Sequence, residues 1–180
     1  MAALQFSKGA GPFLALPGSG AFPDEPWRLF TYVLVHLNFG HFAWDAAAFL
    51  LLGTIVEMEG RPRYAALLIA AAFVPGLVFL ATNPHSAGIQ GSSGLDSALF
   101  AFIGAALLLK HEARPAARMT GALLLAAITA KAAFEFFTGA TLFAPVAGTA
   151  SPALFHAASI LTGALFAIPF EWFRATPHKP

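Results

Sequence analysis

At 180 residues, 58% of them hydrophobic and only 11% charged, the chain has room for one domain and lies far from soluble composition, so it reads as an integral membrane protein. Its zero cysteines exclude disulfides, thiolate metal ligands and thiol catalysis, and a net charge of +1 argues against nucleic acid as a partner.

Residues 1–26 are interrupted by Gly9, Pro12, Pro17, Gly18 and Pro23 and hold no apolar run long enough for a signal peptide or a span. Trp27 opens an apolar segment that reaches Val56 and predicts the first span, closed by Glu57-Met58-Glu59-Gly60-Arg61-Pro62-Arg63. Tyr64–Thr82 predicts the second, with Pro75-Gly76 as a kink that membrane helices tolerate when neighbours satisfy the freed carbonyl. A glycine-serine loop around Gly91-Ser92-Ser93-Gly94 then feeds directly into the third, which runs to Lys110 and the charged connector His111–Arg118. Met119–Phe137 predicts the fourth and, after the uncharged loop Thr138–Ser151, Pro152–Phe173 the fifth. The expected fold is all-α, a polytopic membrane helix bundle of five spans. It divides into an extracytoplasmic segment 1–26, a membrane domain 27–174 and a cytoplasmic tail 175–180.

Basic residues set the orientation, since basic loops stay on the cytoplasmic side. Arg61, Arg63, Lys110, Arg114, Arg118, Arg174 and Lys179 fall on alternate connections, against Lys8 and Arg28 on the others. The N-terminal segment, the loop 83–91 and the loop 138–151 are therefore expected outside. Ser93 at the start of the third span and His156 near the start of the fifth then share a shallow depth below the outer surface, with His36 and His41 in the same half.

Ionisable side chains at membrane depth cost a few kcal/mol each on insertion scales, so each needs a reason. This chain has His36, His41, Asp45, Asp96, Lys131, Glu135 and His156 in such places. His41 and Asp45 are four apart on one helical face, while His36 is expected to be rotated about 140° away and to serve another contact. Lys131 and Glu135 are also four apart and read as an intramembrane ion pair, with Asp96 as the alternative partner of Lys131. The stripe His156, Ser159, Gly163 permits a close approach of the third span through Ser93, Ser97 and Gly104. Glycines on both sides of Ser92-Ser93 let the backbone turn tightly, as a nucleophilic serine with a backbone oxyanion site requires. One serine and one histidine suffice as a nucleophile and base for acyl transfer.

With these features the chain resembles the rhomboid intramembrane serine proteases. The resemblance rests on Trp27-Arg28, the pair His36-x4-His41, Glu57, Gly91-Ser92-Ser93-Gly94 followed by Ala98-Leu99, and His156 with Gly163, covering residues 27 to about 170. It implies Ser93 as nucleophile, His156 as base, His41 at the oxyanion and His36 as a support of the loop fold. The stretches around His36–Asp45, Gly91–Phe100 and Ala130–Phe136 look most like the rhombosortase-type subgroup. Those proteins are implicated in processing secreted substrates with a short C-terminal Gly-Gly, transmembrane and basic sorting tail. The resemblance further implies a transmembrane protein substrate, a bilayer around the protein, a bacterial inner membrane with the site toward the outer face, and neither cofactor nor metal.

Three positions depart from the family pattern. A span expected before Trp27-Arg28 is missing, which means either a start upstream of Met1 or a five-span variant. Ser97 stands where an aromatic often stacks on the catalytic imidazole. Asp45 stands where an asparagine oxyanion donor is expected, and an ionised carboxylate has nothing to donate. Either Asp45 stays protonated and donates as the amide would, the version favoured by its apolar surroundings Phe42, Ala43, Trp44 and Ala46–Ala48, or it stays ionised and holds His41 as a charged donor. Two other functions compete: an inactive rhomboid-like binder of transmembrane helices, and a small proton-coupled carrier using Asp45, Asp96, Lys131 and Glu135. The chain keeps both nucleophile and base, which disfavours the first. It lacks an internal repeat, which disfavours the second.

Overall fold

The computed structural model describes residues 9–18, 24–110, 113–142 and 153–175. The expected tail beyond 175, most of the loop 138–151 and His111 of the connector lie outside the described residues. Seven helices account for nearly all regular structure among those described: α1 Ala10–Leu14, α2 Arg28–Thr31, α3 Phe39–Glu57, α4 Arg61–Thr82, α5 Ser93–Leu109, α6 Pro115–Thr138 and α7 Ala153–Ala175. By length and composition α3, α4 and α6 can each cross a membrane, while α5 and the first sixteen residues of α7, Ala153–Ile168, form shorter apolar helices.

Local sequence sets the boundaries. Asn38, in extended conformation, accepts the His41 backbone N–H at 2.9 Å and caps α3. The single span expected from Trp27 is consequently broken: α2 and a 3₁₀ turn at Tyr32–Leu34 are followed by extended Val35, and the long helix starts only at Phe39. Hydrophobicity was continuous there, and the cap decided the start. Proline in the first turn opens both α4 and α6, where its missing N–H costs nothing. Gly139, at φ 69°, closes α6 with its N–H on the Glu135 carbonyl, fixing the last turn that carries Glu135.

Helix α5 is the centre of the bundle, packing most extensively on α7 and also on α6, α3 and α4. Its sequence permits this because the buried surface is mostly small or smooth, with Gly94, Ser97, Ala98, Ala101, Gly104 and Ala105 beside Leu99 and Phe102. A Cβ at Gly163 of α7 would collide with the Ala98 carbonyl oxygen, so the two backbones touch. Gly104 was expected to face α7 as well. It faces α6 instead, where a Cβ on Gly121 would come within 2.6 Å of the Gly104 carbonyl oxygen. Outer helices invert the soluble pattern: only 22% of the most apolar stretch of α3 and of α6 is buried, and Leu50, Leu51 and Leu123 point outward as lipid-facing side chains do.

The N-terminal segment is tied to the same frame. Arg28 donates to the carbonyls of Pro12 and Ala15 at 2.6 and 2.7 Å, and Leu16 exchanges backbone hydrogen bonds with Ile89. Residues 9–18 thereby brace the loop that leads into Ser93.

Candidate active site

Ser93 is the first residue of α5, so its hydroxyl sits at the helix mouth rather than inside the bundle. Ser93 Oγ lies 3.1 Å from Nε2 of His156, which α7 carries one turn from its start. The α5–α7 seam sets that distance: beside the pair, Gly94 leaves room for the ring of Phe155, and Ser159 returns its hydroxyl to the Phe155 carbonyl. Ser93 is half-buried, whereas its neighbour Ser92 is fully buried and turned the other way, toward His36. An imidazole in this position can take a hydroxyl proton, and of the two serines Ser93 is the one that faces His156.

The other face of His156 meets a carboxylate. Glu135 Oε2 lies 2.6 Å from His156 Nδ1, while Oε1 accepts from Lys131 Nζ at 2.8 Å and from the Leu142 backbone N–H at 3.2 Å. The ion pair read from the sequence is therefore between Lys131 and Glu135, and among the described residues none joins Lys131 to Asp96. Sequence reasoning did not link Glu135 to His156. The two are 21 positions apart across a loop, and no local spacing connects them.

His36, His41 and Asp45 form a second polar group on the opposite wall. His36 was expected to point elsewhere, but it precedes α3 in extended chain and folds back, bringing its ring centroid to 5.3 Å from that of His41. Its Nε2 accepts the Ser92 N–H at 3.3 Å, which fixes the serine loop from behind. Asp45 Oδ2 is 3.2 Å from His41 Nε2 and 3.4 Å from His36 Nε2. Among the described residues Oδ2 makes no hydrogen bond, so both are ion-pair contacts, and since His36 Nε2 accepts from the Ser92 amide, His41 is the imidazole whose charge Asp45 can balance. Gly91, at φ +122°, is required twice over, because a Cβ there would stand 2.6 Å from His41 Cε1.

Both groups open on one cavity of about 1060 Å³, lined by His41, Asp45, Ser93, Asp96, Lys131 and His156 and by residues 82–90. Asp96 Oδ1 is buried without a hydrogen-bond partner. No set of three or more His, Asp or Glu side chains is arranged to hold a metal ion among the described residues.

An all-helical bundle of apolar helices around a serine–imidazole contact defines a polytopic membrane protein whose cavity is walled mostly by apolar side chains, with a few polar groups converging at the serine. The chain belongs to the rhomboid family: the Rhomboid domain model matches residues 23–171. Over 84 residues it is 31% identical to the Rhomboid protease GluP of Bacillus subtilis (strain 168), a stretch covering 46% of this chain and 16% of that protein. The chain thus spans a minor part of that relative's length. Family membership and the long apolar helices together make it an integral membrane protein.

Proposed function

We propose that the protein is an intramembrane serine endopeptidase that cuts single-span membrane substrates near the outer face of a bacterial inner membrane. The observation that carries this reading is the 3.1 Å contact between Ser93 Oγ and His156 Nε2 at a cavity wall. Ser93 attacks the scissile carbonyl carbon while its proton passes to His156 Nε2, and the carbonyl oxygen becomes the oxyanion. Collapse of that tetrahedral species breaks the C–N bond, and His156 returns the proton to the leaving amine. Water then repeats the sequence on the acyl-enzyme. His41 and Asp45 serve the oxyanion. The approach of Asp45 to His41 supports the version in which the carboxylate holds His41 as a charged donor.

In this reading α5 and α7 complete five spans. Helix α5, with its 17 residues, is about 25 Å long against a hydrocarbon layer of about 30 Å, so Ser93 would lie a few Å below the outer surface with water reaching it through the cavity. Substrates with a C-terminal Gly-Gly, transmembrane and basic tail are the class favoured by the rhombosortase-like stretches.

A serine-directed fluorophosphonate tests the nucleophile. Wild type and Ser92→Ala should label, and Ser93→Ala and His156→Ala should not. Labelling retained in Ser93→Ala and lost in Ser92→Ala would move the nucleophile one residue upstream.

A further inference from the structure

Four facts single out Glu135. It is 2% exposed in the last turn of α6, held there by the Gly139 cap. Each carboxylate oxygen is engaged, Oε1 by Lys131 and the Leu142 amide, Oε2 by His156. The bond to His156, at 2.6 Å, is the shortest made by any side chain of the site. Finally, it lands on Nδ1, the ring nitrogen opposite the one that faces Ser93. A buried charge is tolerated only when paired, and Lys131, one turn earlier on the same helix, supplies that pairing without occupying Oε2.

We infer that Glu135 is a positioning residue that converts the Ser93–His156 pair into a three-member relay, with Lys131 holding the carboxylate in place. The inference rests on the protease reading above. An ionised carboxylate only accepts, so Nδ1 must carry the proton and Nε2 presents its lone pair to the Ser93 hydroxyl. The alternative, an Nδ1 lone pair accepting from Lys131 Nζ at 3.4 Å, would set that lone pair against Glu135 Oε2 at 2.6 Å, and the shorter contact decides. Lys131 and His156 are then two donors converging on one carboxylate. When the Ser93 proton reaches Nε2, the imidazolium that forms faces a charge already in position, so no solvent need reorganise around it. The other ionisable groups described on this cavity, Asp96 from α5, Asp45 and His41 from α3, and His85 from the loop before α5, make no hydrogen bond to Nδ1 and do not compete for it.

Two readouts on the full chain in detergent test this. The first is the fluorophosphonate reaction, in which the Oγ–P bond forms, fluoride leaves and the proton goes to His156. Glu135→Gln can donate to Nδ1 and so favours the wrong tautomer. It should lower the maximal labelling rate at least about 100-fold with the probe's half-saturating concentration unchanged. Glu135→Asp should recover part of that loss. Because Glu135→Gln strands Lys131, the double variant Lys131→Met/Glu135→Leu is the decisive control. It removes both charges and restores thermal stability, yet it should still label slowly. Wild-type labelling by the double variant would overturn the relay and leave the pair a structural tie. The second readout is the ¹⁵N spectrum of histidine-labelled protein, with His156 assigned through His156→Ala. Its imidazole should be protonated at Nδ1 in wild type and shift toward Nε2–H in Glu135→Gln. An unchanged tautomer would refute the inference. If wild type shows that tautomer, loses it in Glu135→Gln, but never labels, the positioning by Glu135 stands and the protease reading fails.

Discussion

At the scale of single residues, Asp45 has the most to explain, since it stands where an amide donor is expected. Its Oδ2 lies between the Nε2 atoms of His41 and His36, and the second of these already accepts the Ser92 amide. A carboxylate with one donor nearby acts best by holding that donor. Asp45→Asn should therefore lower the labelling or cleavage rate about tenfold or more, the usual scale for losing one charged contact near a developing oxyanion. Asp45→Ala should be lower still. A neutral-donor role would instead leave Asp45→Asn active, with activity extended to higher pH. Rates against pH for the three proteins separate the roles, and equal rates in all three would leave the oxyanion to His41 and the backbone. The contact between Ser93 and His156 was legible in the sequence because glycines frame the serine at the mouth of a span and a histidine at membrane depth is expensive to keep. The orientation of His36 was not, because it was placed on a helix that in fact begins after it. Glu135 was readable as a partner of Lys131 four residues away. Its reach to His156 depends on how α6 and α7 dock, which periodicity does not encode.

At the scale of elements, the site exists because α5 and α7 are in backbone contact. The C-terminal limits expected at Thr82 and Phe137 agree with α4 and α6, but the expected starts at Tyr64 and Met119 fall late, because the charged first turns with Pro62 and Pro115 belong to the helices and not to the connectors. Local chemistry and hydrophobicity conflicted at 35–38, and the Asn38 cap prevailed over a continuous apolar run. The small-residue stripe was visible too, but which neighbour each glycine meets was half right: Gly163 meets α5, while Gly104 meets α6. Gly163 gives the test. A leucine there would have to displace Ala98 of α5 and would carry His156 away from Ser93. Gly163→Leu should cost about 1–3 kcal/mol of stability, the range for overpacking a tight contact, and reduce fluorophosphonate labelling at least about tenfold with serine and histidine both intact. Full labelling would mean that the seam does not set the catalytic distance.

At the scale of the whole molecule, the proposed function requires that the cavity open toward the outer face. The charge argument for this uses loops only: basic residues on the connections after α3 and after α5, and almost none on residues 82–92 between α4 and α5. That argument is independent of the site, and it predicts which side of the membrane each loop faces. The sequence contains no cysteine, so single cysteines can be introduced without background. Ala87→Cys, exposed beside the cavity, should react with a membrane-impermeant maleimide added to intact cells. Met58→Cys and Ala116→Cys, exposed at the other ends of α3 and α6, should react only after the cells are opened. Should Ala87→Cys stay protected in intact cells while Met58→Cys reacts, the bundle is inverted. Cleavage would then fall on the cytoplasmic side, and secreted substrates with C-terminal sorting tails would no longer be its class. Reaction of all three in intact cells would be incompatible with α3 and α6 crossing the membrane at all.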